Sequence, residues 1–207
     1  MLRDSTLDQL LQEIASKSPA PGGGTVSAIA GALSGALISM VCGLTIGKKR
    51  YRQVEDEVNQ ICENSEKLRQ EFLLLSEKDA EVFSEVMKVY GLARDTEEEI
   101  NDRKVAIEEA TKRAALVPMD VLRRCEQLAQ LCQVVASKGN ENSISDAGVA
   151  AALANAAAQG ASLNILINLA TISDEDFVGK LKSEQAKVLK RVKDLSEETL
   201  HVVYSKL

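Results

Sequence analysis

Two stretches of this chain, Thr25–Ile46 and Ala147–Ser173, carry no charged residue, although charged residues make up 27% of the whole. Each exceeds the ~20 residues a helix needs to cross a bilayer. A fold for this sequence must therefore shield both stretches from water, in lipid or in protein. Their makeup argues against lipid. Ala, Gly and Ser dominate rather than Leu, Ile and Phe, and the second stretch holds Asn155, Gln159, Asn164 and Asn168, which are costly in hydrocarbon. Neither has a Trp or Tyr at both ends, as a membrane anchor would. The sequence favours two helices buried all round inside a soluble bundle or oligomer, with no membrane partner.

The rest of the chain suits that frame. Its 207 residues are enough for one substantial domain, here taken as 1–207, and too few for two. Proline occurs only at 19, 21 and 118, and long Ala-, Leu-, Glu- and Lys-rich spans separate these positions; this favours helix over sheet. We expect an all-α bundle of about six or seven helices, one of them very long, and no strands. A net charge of −6 and 3% aromatics without Trp argue against nucleic acid, which needs clustered cations and stacking platforms. The cysteines at 42, 62, 125 and 132 form no CxxC, and His201 is the single histidine. No metal site is expected, and a reducing cytoplasm is the simplest location. The N-terminus lacks the apolar core of a signal peptide.

Local signals divide the chain. Ser5 is a cap for a first helix with Leu7, Leu10, Leu11 and Ile14 on one face. Pro19 to Gly24 forms a turn, and a second helix starts near Thr25. Its residues Ser27, Gly31, Gly35, Ser39 and Gly43 make a small-residue ridge for close backbone approach. Gly47 with Lys48, Lys49 and Arg50 ends it. A long helix over about 51–90 follows. Thr96 with Glu99 is a capping box for the next, which Pro118 ends or kinks. A further helix runs to Lys138, where Gly139 stops it. The second charge-free helix is capped by Ser145 or Asp146, and Ser173 with Asp174 opens the last.

Several residues are candidates for chemistry, each with a plainer alternative. Pro19–Gly24 at a helix start exposes backbone N–H groups to a ligand, or is only a sharp turn. Asp79 lies four residues from both Leu75 and Phe83 and seven from both Phe72 and Val86, on an apolar stripe where the pattern asks for Leu. Burial would raise its pKa toward neutrality and suit it to acid–base work; the alternative is a structural ion pair. Asn140, Ser145 and Asp146 recognise a polar ring or cap a helix. Asn164 and Asn168, spaced i,i+4, bond each other or a buried ligand. Lys48, Lys49 and Arg50 clamp an anion or are a solvated helix end, and His201 reads as a surface residue.

SPAPGGGTVSA at 18–28, GKKRY at 47–51, DAEVF at 79–83, VP at 117–118, GNENSISDAGVAA at 139–151 and NILINL at 164–169 follow in this order. Together they resemble the cyclodeaminase family, which includes the C-terminal domain of formiminotransferase-cyclodeaminase and stand-alone methenyltetrahydrofolate cyclohydrolases. The resemblance spans nearly the whole chain. It implies an all-helical homodimer with a folate site near the subunit interface, and Asp79 as the catalytic aspartate. For folate binding it implies Pro21, Gly22, Gly23, Gly24, Lys48, Asn140, Ser145, Asp146 and Asn164. A tetrahydrofolate derivative would be the substrate, with no metal or redox cofactor. Thr25 stands where Ser is commoner. The formiminotransferase half is absent, so channelling within one chain is not expected. The implied reaction closes the 5,10-methenyl bridge of formimino-tetrahydrofolate with loss of ammonia. The alternatives are hydrolysis of the same bridge, and a non-catalytic helical interaction module.

Overall fold

The computed structural model describes residues 4–207, and among them there is no strand. Six α-helices follow one another: α1 (Leu7–Ile14), α2 (Gly23–Thr45), α3 (Glu55–Tyr90), α4 (Glu97–Lys138), α5 (Ile144–Leu169) and α6 (Glu175–Lys206). Short 3-10 turns at Lys49–Val54 and Glu141–Ser143 lead into α3 and α5. The helices α2 and α5 lie side by side, α3 and α4 pack behind them, and α6 closes the bundle against α4 and α5. There are two very long helices rather than one. With 36 and 42 residues, α3 and α4 reach about 54 and 63 Å at ~1.5 Å per residue.

Helix ends follow local chemistry. Thr6, not Ser5, caps α1. Only Thr6 has a Gln three residues ahead, and the two exchange side-chain and backbone bonds in a capping box. Thr96 and Glu99 form the expected box at α4. Gly47, at φ +78°, takes the left-handed conformation that lets the chain leave α2. Asp174 caps α6 by accepting from the Phe177 amide at 3.0 Å. Neither Ser145 nor Asp146 caps α5, because both lie inside its first turn. Asn140 caps the preceding 3-10 turn instead, accepting from the Asn142 amide at 3.1 Å.

Pro118 neither ends nor splits α4, which runs unbroken through it. An interior proline costs a helix about 3 kcal/mol. Val117, Met119, Val121 and Leu122 around it are all at most 2% exposed. Burying each such side chain is worth roughly 1.5–3 kcal/mol, so packing outweighs the break. Proline also leaves the carbonyl of Ala114, four residues earlier, without its helical donor. The Asn168 Nδ2 group of α5 reaches that oxygen at 3.4 Å.

The small-residue ridge packs as its composition implies. A side chain at Gly31 would collide with the Phe72 ring, and Gly35 lies against the Ser65 carbonyl and Arg69. Ser39 and Ser65 share a 2.8 Å hydroxyl contact. Gly43 faces open space. The two charge-free helices are not buried all round within one chain. Val26, Leu33, Met40 and Leu44 are exposed on α2, and Val149, Leu163 and Ile167 on α5, with Leu163 and Ile167 at 68% and 70%. By length and composition both helices could cross a membrane. Their other sides pack into this bundle.

Candidate active site

The stripe of α3 that holds Asp79 starts in the core and ends in a cavity. Phe72 and Leu75 are buried, whereas Phe83 and Val86 further along are only half-buried. Asp79 stands at the crossing. Opposite it is the N-terminus of α2, whose cap residue Gly22 has no side chain to offer. The Asp79 carboxylate takes that place from another helix. Thr25 Oγ1 donates to Asp79 Oδ2 at 2.9 Å, and the Thr25 backbone N–H also favours the charged carboxylate. A side chain at Gly24 would overlap the carboxylate, so the glycine tract is what lets the two helices meet here.

Among the described residues Asp79 has no Lys or Arg partner, which argues against the ion-pair alternative. Burial raises its pKa above the ordinary aspartate value, and the Thr25 hydroxyl and backbone N–H oppose that shift without cancelling it. An acid held in this way shares a proton more evenly at neutral pH than an exposed aspartate does.

The cavity beside it measures about 310 Å³. Pro19, Ala20 and Gly22–Gly24 form one wall, Val82, Phe83 and Val86 a second, and Asn164, Ile167, Asn168 and Ala114 the third. Asn164 donates to the Gly160 carbonyl at 2.8 Å, and Asn168 to the Asn164 carbonyl at 2.9 Å. Neither amide oxygen is engaged by these bonds. The cavity thus combines an apolar slot, a protonatable carboxyl, free amides at a helix start and two side-chain acceptors. That mixture suits a flat heteroaromatic ligand with ring N–H groups. Three roomier depressions, near His201, near Arg124 and near Glu108, are more open to solvent and each is lined by charged side chains, with Arg124 paired to Glu71 in the second.

Of the residues singled out from sequence, Gly22, Gly23, Gly24, Asp79 and Asn164 line this cavity, and Pro21 lies in the turn that forms its first wall, beside the lining Ala20. Lys48, Asn140, Ser145 and Asp146 do not join them within one chain. They lie at the opposite end of α2, about 35 Å away at ~1.5 Å per residue. There Asn140 is buried and donates from Nδ2 to the Leu44 carbonyl at 2.8 Å. It satisfies the last turn of α2. Lys48 and Ser145 are exposed. Asn168, read from sequence with Asn164 as bonding its neighbour or a buried ligand, lines the cavity too. Thr25 and Phe83 belong to the site and were not singled out as ligand contacts. Phe83 shares Asp79's stripe, so a signal existed for it. No group of three or more His, Cys, Asp or Glu among the described residues is placed to hold a metal.

Residues 6–187 match the formiminotransferase-cyclodeaminase family. The chain belongs to this family. A methenyltetrahydrofolate cyclohydrolase of Methylorubrum extorquens is 41% identical over 207 residues, all of both chains. The formimidoyltransferase-cyclodeaminase of Rattus norvegicus is 30% identical over 192 residues, which cover 93% of this chain and 36% of that one. This chain therefore spans about a third of the rat protein. The crystal structure of formiminotetrahydrofolate cyclodeaminase from Thermotoga maritima superimposes with a TM-score of 0.90 at 34% identity, covering 99% of this chain and 98% of that one. Family membership and the all-helical architecture agree with the resemblance read from the six segments.

Proposed function

We propose that this protein is a folate one-carbon enzyme that forms or opens the 5,10-methenyl bridge of tetrahydrofolate, with Asp79 as the proton-transfer group. The observation that carries this reading is a largely buried carboxyl, raised in pKa and without a cationic partner among the described residues, at the wall of a cavity that has both apolar and hydrogen-bonding sides. In the cyclodeaminase direction, N10 attacks the carbon of the protonated formimino group (N5–CH=NH2+), a new N10–C bond forms and the C=N double bond becomes single. Asp79 takes the N10 proton and returns it to the departing nitrogen; the C–N bond to that nitrogen breaks and ammonia leaves. In the hydrolytic direction, water adds to the methenyl carbon and Asp79 takes one of its protons; Asp79 returns that proton to N5 as the N5–C bond breaks, and the hydroxyl loses its own proton to solvent as the C=O of the 10-formyl product forms. Both routes need only proton transfers, so no metal or redox cofactor is invoked.

The Thermotoga structure supports ammonia release, and the full-length Methylorubrum relative supports hydrolysis. The ultraviolet absorbance of the methenyl bridge decides between them. It grows from formimino-tetrahydrofolate in the first case and decays faster than in buffer in the second. Inactivity in both assays together with no binding of reduced folate would leave only a helical interaction module.

A homodimer completes this reading. The uncharged α2 and α5 faces are too apolar to stay wet, and a second copy covers them. Two-fold pairing with antiparallel α2 helices sets the Lys48 and Asn140 end of one copy beside the glycine tract of the other. The folate site then lies near the interface. A cytoplasmic location is supported by four unpaired cysteines. Burial pushes the thiols of Cys42 and Cys132 up to about 12, which keeps them inert. A net charge of −6 disfavours nucleic-acid partners.

A further inference from the structure

Pro118 and Asn168 lie on different helices, yet they meet at one oxygen. The proline removes the donor that would bond the Ala114 carbonyl, and its ring crowds that carbonyl out of the helical ladder. Asn168 Nδ2 lies 3.4 Å from the Ala114 oxygen and 2.9 Å from the Asn164 oxygen. Two carbonyl oxygens at one end of an amide accept only N–H groups, because the amide oxygen turned that way would meet two acceptors. The rotation of the Asn168 side chain is therefore decided. Both Nδ2 hydrogens are engaged and Oδ1 is left as the free group, on a residue that lines the cavity.

We propose that Pro118 acts as a positioning residue that locks Asn168, and that Asn168 Oδ1 is a fixed acceptor for a ring N–H or amino group of the bound folate. This rests on the folate reading above. A preset acceptor selects ligands with a donor at that edge, because a ring lacking one leaves a desolvated oxygen unpaired. It also binds without the entropy cost of ordering a free side chain.

Pro118→Ala tests the lock without altering an atom that touches ligand. Alanine supplies the missing N–H and the Ala114 carbonyl returns to the ladder, so that Asn168 keeps only its bond to the Asn164 carbonyl and its second anchor is lost. The wild type, Pro118→Ala, Asn168→Ala and the double variant are titrated with 5-formyl-tetrahydrofolate by calorimetry. Turnover is measured on 5,10-methenyl-tetrahydrofolate, with circular dichroism to confirm the fold. Each single change is expected to weaken binding about three- to tenfold. In Pro118→Ala, kcat stays within about twofold, because Asp79 is untouched. The double variant is no weaker than Asn168→Ala, since both changes break one chain of contacts. Unchanged affinity in either single variant, or additive losses in the double, overturns the proposal. If Asn168→Ala does not fold, Pro118→Ala decides alone. A wild type that neither binds nor converts folate overturns the proposed function and this inference with it.

Discussion

Replacing Asp79 by Asn separates chemistry from architecture at this site. The two side chains have nearly the same volume, and the Asn oxygen can still accept from Thr25 Oγ1 and the Thr25 amide. What is lost is the capacity to take up a proton at neutral pH. Removing a general acid–base group lowers turnover by roughly 10²–10⁴. Folate affinity should change far less, because the loss falls on the transition state. Stability sharpens the test. Breaking a buried ion pair costs about 3–5 kcal/mol, but among the described residues Asp79 has no cationic partner to strand. The variant should therefore melt no lower than wild type at pH 7. The sign of the pH dependence follows. The folded pKa is raised above the ordinary aspartate value of 3.8, so this carboxyl favours folding when protonated. Its contribution is full below that value and is lost as pH rises through the folded pKa. Asparagine does not titrate, so the wild-type minus variant difference in melting temperature should grow as pH falls through that window. Turnover from the methenyl absorbance and melting by circular dichroism, measured together from mildly acidic to neutral pH, decide the matter. A folded, folate-binding Asp79→Asn protein with near-normal turnover refutes the role assigned to Asp79.

Gly24→Ala places a methyl group on the Asp79 carboxylate. We expect it to displace that group and cost on the order of 10²-fold in kcat/KM, with helical circular dichroism retained; full activity would mean that the close approach is dispensable. Gly23 has no positive φ, and an added Cβ there meets the Asn164 amide only at ordinary contact distance, so Gly23→Ala should be much milder. Thr25→Val removes the hydroxyl that holds the Asp79 pKa down; the acidic limb of the pH–rate profile should move to higher pH, and no movement would show that the hydroxyl does not tune Asp79. Leu33→Glu puts a charge in the middle of the exposed α2 face; sedimentation velocity should show a dimer for wild type and a monomer for the variant, and a monomeric wild type would refute the covered face.

The features legible in sequence were those set by neighbours within a turn or two. The Thr96 and Glu99 box, the Gly47 exit from α2 and the Asp174 cap rest on bonds spanning three or four residues, so composition and spacing suffice. Asp79 was legible for a related reason, since a carboxylate on an otherwise apolar stripe is anomalous wherever the stripe packs. The same local logic placed Ser5 one residue early. It also broke the fourth helix at Pro118, where buried neighbours and an acceptor on α5 decide the outcome. The charge-free helices show the limit most clearly. With Ala, Gly and Ser on every side, α2 and α5 have no polar face to mark what is exposed, and only packing against α3, α4 and α6 reveals that each leaves one side bare. Asn140 and Asn164 look alike as polar residues near apolar helices. Tertiary structure alone sets one on the carbonyls that end α2 and the other in the cavity at its start, because a long helix separates sites that sequence motifs list together.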